Sequence, residues 1–145
     1  MDLKPAVGID QIEFGMKQPE VEDLLGHPQA TFVEDDDPDR LVLQYNRFKT
    51  RLTFYGEEEG RLGYIRCADP ALTYTGSALI GQSVNAVMQL FEQVDDDEWD
   101  VESHQFFDSY FCERLWLVLN VEYGEVTDVE IGVPFKNEEQ YDWKR

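Results

Sequence analysis

A chain of 145 residues with 31 acids against 12 bases carries a formal charge of −19, so its surface is not built to neutralise phosphates and nucleic acid is excluded as the expected ligand. With 42% hydrophobic and 13% aromatic residues it is too apolar for a disordered acidic chain, and its length suits one domain, 1–145, needing neither disulfides nor a structural metal. The most apolar run, Leu115 to Leu119, falls far short of the ~20 residues that cross a bilayer, and the acid-rich first thirty residues hold no signal-like apolar stretch. The expected setting is therefore cytoplasmic, without a membrane.

In chain order, the first element is a short helix. Pro19 suits a first helical turn, Val21, Leu24 and Leu25 follow at i, i+3 and i+4, and Gly26 with Pro28 ends the run. His27 is placed to meet the last carbonyls of that helix. After Ala30 to Val33, the run Glu34-Asp35-Asp36-Asp37-Pro38-Asp39 reads as a loop, because like charges repel and Pro breaks pairing. Strands are expected at 41–45, 52–55 and 62–67, with Gly56-Glu57-Glu58-Glu59-Gly60 turning the last pair.

A turn-rich stretch, Asp69 to Ser77, precedes a second half that repeats the first. A shift of 66 places Gly81 on Gly15, Val87 on Val21, Leu90 on Leu24 and Phe91 on Leu25, and Ser83 can cap the new helix. The acidic run Asp95-Asp96-Asp97-Glu98 and Trp99 follow, then strands over 101–107, 110–121 and 126–133. At a shift of 64, Leu62, Ile65 and Cys67 fall on Val126, Val129 and Ile131. The expected fold is thus α+β: two tandem repeats of a short helix plus antiparallel strands, about 8–68 and 79–135, with both helices packed on an antiparallel sheet. Alternation fails at Leu115 to Leu119, which suggests a central strand apolar on both faces or one covered by a partner.

The element Gly15-Met16, Glu20-Val21, Leu24-Leu25-Gly26 and Pro28 reads G-M-x-x-x-E-V-x-x-L-L-G-x-P. It resembles the superfamily of the β-lactamase inhibitor protein and the small lipoprotein of the outer-membrane barrel-assembly machinery, with Lys17 or Gln18 where a Ser or Thr cap is usual. The resemblance implies action through a sheet surface or helix-loop contacts with another protein, and it brings no catalytic residues with it.

No catalytic constellation is expected. Ser103-His104 and Asp108-Ser109 are triad residue types, but strand neighbours point to opposite faces and no base is evidently aimed at a nucleophile. Neither acidic run has the Gly and bidentate Glu of a calcium loop, the two histidines lack a third ligand, and Cys67 and Cys112 lack zinc or redox spacing, so neither a metal nor a cofactor is expected and the thiols read as buried and reduced. What remains is binding. Asp35, Asp36, Asp37, Glu57, Glu58, Glu59, Asp95, Asp96, Asp97 and Glu98, with Trp99 as an exposed anchor, are the candidate contacts for a basic protein partner. The expected function is a non-catalytic acidic binding module, an immunity protein or inhibitor covering the basic active site of a toxin such as a nuclease; the alternative is an adaptor that self-associates as a homodimer or joins a larger assembly.

Overall fold

The computed structural model covers residues 1–145. Three two-residue strands, β1 (Leu3–Lys4), β2 (Gly8–Ile9) and β3 (Ile12–Glu13), form a small antiparallel sheet ahead of helix α1 (Gln18–Leu25). Then come β4 (Ala30–Glu34), β5 (Asp37–Tyr45), β6 (Thr50–Tyr55) and β7 (Arg61–Cys67), and a small hairpin of β8 (Thr73–Tyr74) and β9 (Ser77–Ala78). Helix α2 (Val84–Leu90) leads into β10 (Trp99–Ser103), β11 (Asp108–Cys112), β12 (Leu117–Glu122) and β13 (Glu125–Gly132). The eight longer strands make one antiparallel sheet in the order β10-β11-β12-β13-β7-β6-β5-β4. Consecutive strands pair as hairpins except at the centre, where β13 lies beside β7.

The expected α+β fold of helix-plus-strand repeats is overturned. The chain is mostly β, 45% strand against 17% helix, and its core architecture is the large sheet with two short helices upon it. The physical reason is size: α1 and α2 hold eight and seven residues, so each is about 12 Å long or less, whereas eight strands extend over roughly 34 Å. Two such helices cannot form a layer. Of α1 only Val21 is fully enclosed, Leu25 is half-buried and Leu24 is 46% exposed; α2 encloses Val84 and Val87, with Phe91 just beyond it. The rest of that face is covered by Leu3, Ile9, Ile12, Phe14 and Met16 of the N-terminal strands and by Leu72 and Leu79 around the small hairpin.

The register sorts the two faces. Leu43, Leu52, Ile65, Ile131, Leu117, Cys112 and Trp99 are successive cross-strand partners, a buried row running through seven strands beneath the helices. One residue along, Gln44, Arg51, Arg66, Glu130, Val118, Phe111 and Asp100 form the corresponding row on the opposite face, which no helix covers. Strand side chains alternate, so one step in sequence moves from core to open face.

Two local expectations also change. The strand expected over 110–121 is two strands joined by a turn at Glu113 to Trp116, where Trp116 has φ 49°, so the unbroken apolar run is a turn followed by a strand. Trp99 is 7% exposed and meets Phe91 edge-on at 6.2 Å. It opens β10 on the covered face and belongs to the core, not to an exposed anchor. Cys67 and Cys112 are both buried and free, on strands separated by two others, and burial pushes the Cys67 thiol up.

Candidate functional site: an acidic end of the sheet

Antiparallel order decides where the acidic runs fall. The β4–β5 turn with Asp35 and Asp36, the β6–β7 turn with Glu57 to Glu59, the β11–β12 turn, and the residues entering β10 all lie at one end of the sheet. Asp37 begins β5 at that end, and Asp95 to Glu98 lie just before β10. Runs separated by some twenty and forty residues of chain are thus aligned along one margin.

The margin is partly neutralised from within. Arg40 on β5 joins the first two runs, with Nη2 2.7 Å from Glu57 and Nε 3.4 Å from Asp37, while its guanidinium stacks 3.6 Å over the Tyr55 ring. The Asp37 contact lacks hydrogen-bond alignment, and Arg40 Nε has no acceptor. Glu59 pairs with Arg61, and Glu58 accepts from Trp143 Nε1 at 3.0 Å. Arg114 holds Glu98 at 2.9 Å and lowers its pKa, assisted by the Asp95 backbone N–H. Asp35, Asp36, Asp95, Asp96 and Asp97 make no ion pair and face solvent, and they leave the margin negatively charged.

Aromatic rings run between the acidic turns. Phe111, Trp116, Phe135, Tyr141 and Trp143 follow one another at centroid distances of 5.1, 5.3, 4.7 and 5.6 Å, and Tyr141 also meets Tyr55 at 5.4 Å. The last members lie on a C-terminal tail that returns over the first half of the sheet: Arg40 donates to the Tyr141 hydroxyl, and Arg145 pairs with Glu13 and Glu20. Sequence reasoning missed this tail. Its signal was the spacing of Phe135, Tyr141 and Trp143, three large apolar groups beyond the last expected strand.

Further along the open face, a polar chain links four strands. Asn120 donates to Asp128 at 2.7 Å and Glu130 at 2.6 Å, Arg66 holds Asp128 at 3.0 Å, and the Tyr64 hydroxyl donates to Glu130 at 2.8 Å. Burial and the adjacent Glu130 carboxylate raise the Tyr64 pKa, so the phenol stays a donor. Ser109 donates to Asn120 Oδ1 at 3.0 Å, and His104 Nε2 lies 3.2 Å from the Ser109 oxygen. The sequence places no base evidently aimed at a nucleophile, yet a Ser–His contact exists. Its polarity is wrong for activating Ser109, because the hydroxyl proton is directed to Asn120 and no carboxylate orients the imidazole. His27 is exposed and reaches Glu22 at 3.3 Å instead of the helix carbonyls. No helix is long and apolar enough to cross a membrane.

No protein-family model and no curated protein matches the chain. A solved structure is similar: an extracellular protein containing an SCP domain from Bacillus anthracis str. Ames, at 9% identity and a TM-score of 0.51 over 80% of this chain. The chain spans 42% of that protein's length. At such low identity the likeness is one of fold alone.

Proposed function

We propose that the chain is a non-catalytic protein-binding module, an inhibitor or immunity protein that covers a basic surface of its partner, such as the active site of a toxic nuclease. The observation that carries this reading is the alignment of three acidic runs along one sheet end, with a band of partly exposed aromatic rings between them. Charged rims accelerate encounter with an oppositely charged surface, and aromatic groups retain it after docking. The resemblance of the Gly15 to Pro28 element to a superfamily of protein-binding folds supports the same class. Two buried free thiols fit a reducing compartment such as the cytoplasm.

The test compares affinity capture from source-cell lysate by the wild-type chain, by a variant neutralised at Asp35, Asp36, Asp96 and Asp97, and by an E122Q/E125Q control at the opposite end of the sheet. Wild type and control should capture the same basic protein at low salt and lose it at 1 M salt, where screening acts within ~3 Å. The neutralised variant should fail at both. Capture indifferent to salt and to neutralisation, or lost equally in the control, would overturn the proposal.

The second reading, self-association, rests on a different observation. Edge strand β4 carries Phe32 at 39% and Val33 at 50% exposure on opposite faces, and no charge over Ala30 to Val33 to block pairing. A dimer by sedimentation that T31P or V33K converts to monomer would favour it.

A further inference from the structure

We propose that the open face of the sheet contains a recognition cleft for a single arginine side chain of the basic partner. This inference rests on the binding function proposed above and names the anchor. The cleft has a volume of about 350 Å³ and is walled by Tyr55, Tyr64, Trp116, Phe135 and Tyr141. Its shape comes from two glycines. A Cβ at Gly132 would lie 2.2 Å from the Trp116 ring, and one at Gly63, the unpaired residue of the bulge between β6 and β7, would lie 2.2 Å from the Tyr55 ring. The missing side chains let both rings lie against the strands and leave room above them.

The charges in the cleft favour one cation. Arg40 borders it, but its charge is already offset by Glu57 at 2.7 Å and by Asp37 at 3.4 Å. Glu34 and Glu130 are then left facing the space. Glu34 has neither an ion pair nor a side-chain hydrogen bond, whereas Glu130 is fixed by Tyr64 and Asn120. A cation entering between aromatic faces gains from the ring quadrupoles as well as from these carboxylates. Arg40 over Tyr55 at 3.6 Å shows that one ring of this wall takes a planar guanidinium from within the chain, and leaves Tyr64, Trp116, Phe135 and Tyr141 to a second one. Planarity selects arginine over lysine or a quaternary amine, since a flat group stacks on a ring and reaches two carboxylate oxygens in a fork. Entry lies beside the Asp35 to Asp37 turn, so charge on the margin leads a basic partner toward it.

The test is an NMR titration of the full-length protein with N-acetyl-arginine methylamide, reading the Trp116 indole N–H and the Gly132 and Glu34 amides. These signals should shift saturably, and E34Q and F135A should each weaken binding by about two- to fivefold, the range of an exposed cation–π or charge contact. E102Q, at the distant edge strand β10, should leave it unchanged. Spectra of the variants that otherwise overlay on wild type show that the fold is retained; for a variant that fails this check, F135L replaces F135A. Shifts that never saturate and spread equally over the acidic turns would overturn the cleft, leaving only a counter-ion atmosphere. Equal binding of tetramethylammonium would overturn the arginine assignment. Because no partner is present, failure here is separate from failure of the capture experiment: a saturable cleft with no captured partner refutes the proposed function alone, and salt-sensitive capture with no saturable cleft refutes the anchor alone.

Discussion

The two faces of the one sheet solve burial in opposite ways. Beneath the helices, the row from Leu43 to Trp99 is apolar at every strand, and its side chains interlock with Val21, Val87 and Phe91. On the other side, the interior positions are held by Asn120, Asp128, Arg66 and Glu130, whose contacts are directional and whose partners are mutually specified. Val42 is buried on this side as well, yet stands apart from the core cluster. The difference teaches that the covered face supplies stability, whereas the open face holds a fixed arrangement of donors, acceptors and rings at the cost of desolvating them.

The largest effect should come from the covered face. Leu52→Ala removes a side chain that is 1% exposed and stands between Leu43 and Ile65 in the apolar row, and denaturant titration should show a loss of about 2 to 5 kcal/mol. The same face hides both thiols, so native protein should resist a disulfide reagent until it unfolds, and the Leu52 variant should react sooner. A loss below about 1 kcal/mol, or thiols open in the native state, would break the comparison.

A smaller effect is expected on the open face. Asn120→Ala leaves Asp128 and Glu130 without their shared amide donor, and the expected cost is about 1 to 3 kcal/mol, with hydrogen exchange quickening across β12 and β13 more than in β5 and β6. Uniform quickening would show that the network is not a local unit.

The smallest effect lies outside both faces, at the exposed Glu98–Arg114 pair. Arg114 lowers the Glu98 pKa in the folded chain, so whatever stability the pair adds is present above the unfolded carboxylate value and fades as pH falls through the folded one. Glu98→Gln should therefore leave the unfolding midpoint nearly unchanged at neutral pH and remove a slight acid-side slope. A large shift would mean that the margin is more tightly coupled to the core than its exposure implies.

Legibility in the sequence followed the same division. Strands β5, β6 and β7 are legible as short runs of Leu, Val, Ile, Thr and aromatic residues bounded by turn residues such as Gly56 and Gly60, and the helix at 18–25 is marked by Pro19 and Gly26. The fold class was misjudged because the helical patterns are conspicuous in sequence yet short in space, while strand pairing adds residues such as Asp37 to Arg40 that carry no apolar signal. The three acidic turns were identified, but their common margin depends on strand order, which local pattern does not encode. Trp99 was misplaced because an aromatic next to four acids looks exposed; its position depends on pairing with Cys112 thirteen residues on. The open-face network and the cleft are not legible in the sequence because Tyr64 and Arg66 reach Glu130 and Asp128 across the β7–β13 pairing, 66 and 62 residues apart in the chain.

Within the large sheet, the meeting of β13 with β7 is the one place where a strand of the first half pairs with a strand of the second. Val129, Glu130, Ile131 and Gly132 face Cys67, Arg66, Ile65 and Tyr64, and the chain between the halves passes through the Thr75–Gly76 turn of a small surface hairpin. Cutting there would yield two polypeptides, each with a bare strand edge that only the other completes. The C-terminal tail, fastened to Glu58, Glu13 and Glu20 of the first piece, would act as a second clasp. The scaffold therefore suits a complementation reporter, in which reunion of two separately expressed fragments restores one continuous sheet and is read from Trp143 as its indole returns to its site beside Glu58.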